Sequence, residues 1–438
     1  MNTYLRQSWS SSKIFRIVLI VAFVYAVFRL VAQFLYWGGL FGGVDQFESY
    51  SPIDLDMYRA AAQNFDLRQD LYPDRTTQDT MFWFEYPPSY AMVFAIFLHW
   101  PANLLILTYA LIHIVGYVLL YIRWGHIFHQ LGLDKAGKML AWTLPVWMVC
   151  TAFWFDMVVL NNYTLMALLA TLLIEAILEE HLAWSLVWLS IILQIKPQWA
   201  FAAALPLFLG RWRFFFKLIA LAMITYVVAA GASILAAGLQ YGWRQYQNYF
   251  LQLWNYYDIF PWRGPEVKYL GYGHSILQTA FYLFGVTPGV RWVIQGIKAL
   301  ILAPLVALLL RPARCPGHQL PRLSLDLALA LYLGTFVWLD VVAELSLGIV
   351  VFTYLLATLE RREARIWVWV VFLLYALDDM WQMVSYALFG ESVFFAGDIT
   401  GTMVITSPSI YIPVIMIVIL TFYTLLIKRL WSTHPYSR

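Results

Sequence analysis

The chain has 438 residues, of which 62% are hydrophobic, 18% aromatic and 12% charged, with a net charge of +3. Soluble domains are roughly 45–50% apolar and about 25% charged, so this composition excludes a water-soluble globular domain and predicts an all-α polytopic membrane protein. The small net charge, with no basic tail, excludes nucleic acid as a partner.

Apolar runs of about 20 residues are read as spans, and loops rich in Lys and Arg as cytoplasmic. Lys13 and Arg16 put the N-terminus inside, and a first span is predicted over about residues 14–37. No small-residue cleavage site follows that run, which marks it as a retained anchor rather than a signal peptide. Residues 38–86 then form the first extracytoplasmic loop. The run 88–100 is short for a crossing, whereas 103–122 is long enough. Arg123, His126, His129, Lys135 and Lys138 read as an inside loop, which makes 88–100 a partial or re-entrant helix.

A span from about residue 137 leads to Phe155 and Asp156 outside, and Asn161, Asn162 and Tyr163 open the return to Glu179 and Glu180. Residues 182–195 and 198–209 form a short helical pair broken at Lys196-Pro197, because proline removes a donor and clashes with the preceding turn. Arg211, Arg213 and Lys217 lie inside, and 216–237 leads out to a second large extracytoplasmic loop, polar and aromatic, at 239–273. Arg311, Arg314, His318 and Arg322 mark an inside loop, Asp340 and Glu344 an outside one, and Arg361, Arg362 and Arg365 another inside. Residues 390–406 then lie outside, and Lys428 and Arg429 inside. The sum is a single membrane domain, 1–438, of about 11–13 helices, with both termini cytoplasmic.

Most chemistry-bearing residues fall in or beside the extracytoplasmic loops. Ser51-Pro52-Ile53-Asp54 has the form of a capping box, which would start a helix whose Leu55, Met57, Ala61, Ala62 and Phe65 suit an interfacial position. Asp54 is then either a helix cap or a base that deprotonates an acceptor hydroxyl at the membrane surface. Asp56, two positions on, points away from it. Phe82, Trp83, Phe84, Glu85 and Tyr86 before Pro87-Pro88 suit sugar stacking, or an ordinary interfacial belt. Lys196 follows a long apolar run and calls for a partner: it either anchors at the interface or meets a lipid phosphate. His274, either a hydrogen-bond donor to that phosphate or a structural histidine, shares its loop with the cations Arg263 and Lys268. Asp378-Asp379 inside an apolar run must face a cavity or a cation, or serve proton coupling in a transporter. Cys150 and Cys315 form no C-x-x-C pair, and no zinc, phosphate-loop or serine-nucleophile motif occurs, so no metal or cofactor is expected.

Several of these pieces stand in a familiar order. Asp54-Leu55-Asp56-Met57-Tyr58-Arg59, then Leu71-Tyr72, then Tyr86-Pro87-Pro88, resembles the first outside loop of glycosyltransferase family 87. That family uses polyprenyl-phosphate mannose and shows Asp-Leu-x-Val-Tyr, Leu-Tyr and Tyr-Pro-Pro there. Lys196-Pro197 followed by Gly210-Arg211-Trp212-Arg213 looks like its Lys-x-x-Pro and Arg-Arg-Trp-Arg elements, and His274-Ser275 is similar to a histidine-serine pair heading a late helix. The likeness is collinear over about residues 45–300. Asn161-Asn162-Tyr163 departs from the family's Gly-Gln-x-Asn, and Lys196-Pro197 lacks its two-residue spacer.

The resemblance implies a GT-C-type transmembrane helix bundle with interfacial helices in the first extracytoplasmic loop. It implies transfer of a sugar, mannose by family weighting, from a polyprenyl-phosphate donor to a lipid-linked or glycan acceptor at the outer face of the plasma (inner) membrane, among membrane lipids. Asp54 matches the base, and Lys196 and His274 match positions near the donor phosphate, with Arg263 beside them. Asp56, Tyr58, Arg59, Glu85, Tyr86 and Asn162 complete the candidate substrate site. The alternatives are a lipid or sugar transporter or flippase, and a non-catalytic membrane assembly partner.

Overall fold

The computed structural model describes residues 2–38, 52–73, 84–260, 262–266, 275–310, 320–340, 345–389 and 408–433. These residues are helical, with no strand among them.

Helix α1 (Asn2–Ser11) leads to α2 (Lys13–Trp37), which Ser12 starts by accepting the N–H of Phe15 at 3.1 Å. Helix α3 (Ile53–Asp66) begins differently from the expected capping box: Pro52 occupies the cap position and no side chain caps the turn. Ser51 lies outside the described residues. Asp54 therefore sits in the first turn with its carboxylate turned to another element, and is not a cap. The helix buries Leu55, Tyr58, Ala61, Ala62 and Phe65 on one face, against α4 (Pro88–Phe94) and the 3-10 turn Ala95–Phe97 that follows. Seven α-helical residues rise about 10 Å, a third of a bilayer core, so α4 is too short to cross.

Helix α5 (Ala102–Gln130) has 29 residues and contains Arg123, His126 and His129 in its last turns. The expected cationic loop is thus largely helix, and the actual turn is confined to 131–133. Helices α6 (Asp134–Trp142), α7 (Leu144–Val149) and α8 (Thr151–Val159) follow, with a 50° bend between Trp142 and Leu144. Pro145, with no N–H to give, accounts for the break. The chain then turns at Leu160 into α9 (Tyr163–Leu178), returns through α10 (Leu182–Ile195), breaks at Lys196, and continues as the 3-10 helix Pro197–Ala204 and α11 (Leu205–Phe208).

Helix α12 (Trp212–Ala237) follows. The polar stretch expected as a loop after it is mostly helix: α13 (Leu239–Trp254) and α14 (Tyr256–Ile259). Gly242 allows the corner between α12 and α13, because a Cβ there would stand 2.6 Å from the Cα of Ile234. The remaining helices are α15 (Ile276–Phe284), α16 (Pro288–Ala307), α17 (Leu320–Trp338), α18 (Gly348–Thr358), α19 (Arg362–Ala376), α20 (Asp378–Phe389) and α21 (Pro408–Thr433).

Among the described residues six helices are long and apolar enough to cross a membrane: α2, α5, α12, α16 with its 3-10 extension, α17 and most of α21; the bent α6–α8 pair makes a seventh. The chain is an α-helical multi-pass membrane protein. The number falls below the expected 11–13 helices in part because α9, α10 and α18 are apolar but only 10–17 residues long. A large core joins the C-terminal half of α5 to α6, α7, α9, α17, α18, α19 and α21. A second, smaller core joins α3, α4 and the N-terminal half of α5.

Several of the buried charges among the described residues form ion pairs with opposite charges. Asp379 stands at the break between α19 and α20 rather than mid-span; it meets Arg29 of α2 at 3.1 Å and accepts a hydrogen bond from Tyr25. Asp340 pairs with Lys298, and Asp326 with Arg429. Glu344 and the loops 311–319 and 390–406 lie outside the described residues.

Candidate functional site

Where the two cores meet, one end of the α9–α10 hairpin faces α3, α4 and α5. Asp54 is brought there by the first turn of α3, and its Oδ2 accepts the Asn161 amide N–H at 2.8 Å. Asn161 and Asn162 hold their positions because the chain reverses at Leu160, in the left-handed region at φ 51°, just before α9 begins. Lys196 arrives from the other arm of the hairpin. The helix stops at Ile195 because Pro197 follows, which leaves the Lys196 side chain at the break, buried, with its Nζ 3.8 Å from the Tyr163 ring centre and 5.4 Å from that of Tyr86.

Four tyrosines and the two asparagines form a directed hydrogen-bond chain. The Asn162 amide donates to the Tyr58 hydroxyl at 3.2 Å and to the Tyr90 hydroxyl at 2.9 Å. The hydroxyls of Tyr58 and Tyr86 are 2.7 Å apart, and the Tyr86 hydroxyl donates to Asn161 Oδ1 at 3.2 Å. Tyr109 donates to Asn162 Oδ1. Because Tyr86 gives its proton to Asn161, Tyr58 must give its own to Tyr86, and the run of donors ends at the Asn161 amide and Asp54. Burial holds the phenols of Tyr58 and Tyr86 well above the usual tyrosine range, so both keep these protons at neutral pH.

The Asp54 carboxyl is partly exposed but largely enclosed by protein. Burial raises its pKa to about 6; the positive charge of Lys196 and the Asn161 hydrogen bond oppose that rise, and the negative charge of Asp156 adds to it. A carboxyl titrating near 6 is ionised at neutral pH yet takes up a proton readily, which is what a general base requires.

The structure brings together Asp54, Tyr58, Tyr86, Asn162 and Lys196 from the residues expected in the site. Asp56, on the same helix, is directed away from Asp54 by its two-residue spacing and is not part of this hydrogen-bond chain. Arg59 is half-buried, with its Nε enclosed and lacking a hydrogen-bond partner. Glu85 is bound by the Tyr256 hydroxyl at 3.0 Å. Arg263 lies beside α15, where its backbone exchanges hydrogen bonds with Gln278 at 3.2 and 2.9 Å. His274, Lys268, Phe82 and Trp83 lie outside the described residues. Sequence reasoning flagged the Asn161-Asn162 pair but chose Asn162; the direct contact to Asp54 is made by Asn161. Tyr90, Tyr109 and His113 were missed altogether, since each reads in sequence as an ordinary member of an apolar helix.

Compared with family models, curated proteins and solved structures, the chain matches none.

Proposed function

We propose that the protein is an integral-membrane glycosyltransferase. It moves a sugar, mannose by the family resemblance, from a polyprenyl-phosphate donor to a lipid-linked or glycan acceptor at the extracytoplasmic face of the plasma (inner) membrane, with both termini in the cytoplasm. One observation carries this proposal: a carboxyl of raised proton affinity and a buried lysine, from distant parts of the chain, act on each other's charge across a wall of tyrosines and asparagines.

That pairing suits a single displacement. The acceptor hydroxyl passes its proton to Asp54 as its oxygen bonds the anomeric carbon. The bond from that carbon to the phosphate oxygen breaks, and the polyprenyl phosphate leaves with the electron pair. Lys196 offers a fixed cation for the negative charge that grows on the leaving phosphate. One carboxylate is enough for this inverting transfer, whereas a glycoside hydrolase needs two. Tyr90, which is only partly buried, offers its ring to the sugar, while Tyr58 and Tyr86 are buried and hold the asparagines in place.

A transporter remains the rival because broken helices mark transport sites. Its other support was Asp378-Asp379, and the bonds of Asp379 to Arg29 and Tyr25 give that acid a structural use. Binding of polyprenyl phosphate to the reconstituted protein, measured by native mass spectrometry, tests the donor half of the proposal. Lys196→Met should abolish it and Lys196→Arg should retain most of it. Equal binding by wild type and Lys196→Met would refute the role of Lys196.

A further inference from the structure

Behind Asn161 lies a second carboxylate that touches neither the Asp54 carboxyl nor the hydrogen-bond chain in front of it. Asp156, on α8, is fully buried. Its Oδ2 accepts the N–H of Thr164 at 2.7 Å, and its Oδ1 faces the N–H of Tyr163 at 3.4 Å. These are orphan donors in the first turn of α9, and no side chain at the helix's own cap position serves them. Asp156 thus caps α9 from a different helix, a position where a negative charge is favoured.

His113 of α5 closes the same turn from the other side. Its Nδ1 lies 2.7 Å from the Tyr109 carbonyl oxygen, its Nε2 bonds the Asn161 carbonyl oxygen, and Asp156 Oδ2 stands 3.7 Å away. The two ring nitrogens thus face two backbone carbonyl oxygens, with the Asp156 carboxylate beside them. Immediately before the gripped residues the chain passes through Leu160 in its left-handed conformation, which costs a non-glycine residue about 1–2 kcal/mol and must be held by its surroundings. The segment held in this way carries Asn161, whose amide contacts Asp54.

We propose that Asp156, with His113, is a positioning residue for Asp54: it clamps the Leu160–Asn162 turn so that the Asn161 amide is aimed at the Asp54 carboxyl. This rests on Asp54 being the working acid of the proposed transferase. The readout is nevertheless the proton on Asp54, so absence of sugar transfer would sink the proposed function and leave this inference standing.

Among the described residues, the charges that act on Asp54 are Lys196 at the α10 break and Asp156 on α8, with the phenols of Tyr58 from α3 and of Tyr86 and Tyr90 from α4 and its approach near it; His113 and Tyr109 of α5 and Tyr163 of α9 reach it only through Asn161, Asn162 and Lys196. The influences of Asp156 on Asp54 are opposite in sign. Its charge raises the proton affinity of Asp54 directly, while the Asn161 bond it holds in place lowers that affinity, and by more.

The experiment follows the protonation of Asp54 by isotope-edited infrared titration of the full protein in nanodiscs, with Asp54→Asn identifying the band. Asp156→Asn removes the charge but keeps an oxygen for the Thr164 N–H, so the turn should hold and the midpoint should fall, by about half a unit. Asp156→Ala releases the turn as well, and the midpoint should rise, as it should in Asn161→Ala. Opposite shifts in the two Asp156 variants are the expected result. A fall in both would reduce Asp156 to a distant charge and overturn the positioning role. If Asp156→Ala does not fold, Asp156→Ser, too short to reach the Tyr163 and Thr164 N–H groups, takes its place with the same expected rise, and a fall in Asp156→Ser overturns the proposal.

Discussion

Asp54→Asn keeps the shape of the side chain and an oxygen that can still accept the Asn161 N–H, while removing the charge. In the folded protein the acid titrates at about 6 rather than 3.8, so the fold holds a proton on Asp54 to higher pH than an open chain does. That contribution to stability is fully present below pH 3.8, declines as pH rises through 6, and is constant above. A difference of roughly two units is on the order of 3 kcal/mol at neutral pH; partial exposure of the carboxyl reduces this to about 1–2 kcal/mol. The Asn variant has no charge to bury. It should therefore be more stable than wild type above pH 6, by a few degrees of Tm or less for a chain of this length, with the gain shrinking toward zero near pH 4. Thermal unfolding of the detergent-solubilised protein, followed by tryptophan fluorescence at pH 4.5 and 7.5, reads the difference. A wild type more stable than the variant at pH 7.5, or a gain that does not change with pH, would refute the reasoning.

Two other substitutions test the frame around the site. Asp379→Asn leaves the Arg29 guanidinium buried without a counter-charge, at a cost of about 3–5 kcal/mol, whereas Arg29→Met combined with Asp379→Leu should recover most of the loss; melting curves in which single and double variants are equally impaired would contradict a paired role. Gly242→Ala drives a methyl into the backbone of Ile234, so the α12–α13 corner should open at a cost of roughly 1–3 kcal/mol, with faster protease cleavage near residue 238; an unchanged melting point and cleavage rate would show that the corner is not tight.

The membrane-crossing helices were legible because about 20 consecutive apolar residues have few other uses: α2 and α12 begin and end, and α5 begins, near where hydropathy placed them. The break at Lys196 was legible for a chemical reason, the missing N–H of Pro197. Other features misled. Arg123, His126 and His129 read as a loop by charge, yet a helix continues unchanged past the apolar region when nothing breaks it. Helix α13 read as a loop because its Gln, Tyr and Trp residues look polar and mixed, but it buries Gln245 and Gln252 and exposes Trp243 and Phe250.

The candidate site was half legible. Asp54 and Lys196 stood out as charges in costly places, but the contact of Asp54 with Asn161 joins residues 107 apart in the chain, and no local pattern encodes that. The same holds for Asp379, which is unexplained in sequence until Arg29 of α2 is beside it. Asp156 drew notice only as a marker of topology, because a cap supplied from another helix leaves no signature at the helix it caps.

The central claim is that Asp54 takes the acceptor's proton during sugar transfer. Wild type and Asp54→Asn, reconstituted side by side and supplied with radiolabelled polyprenyl-phosphate mannose and a membrane-lipid extract as acceptor source, give the most direct measurement. An amide cannot accept that proton, so the variant should lose transfer by at least about a hundredfold while still binding polyprenyl phosphate. Undiminished transfer by Asp54→Asn would contradict the account.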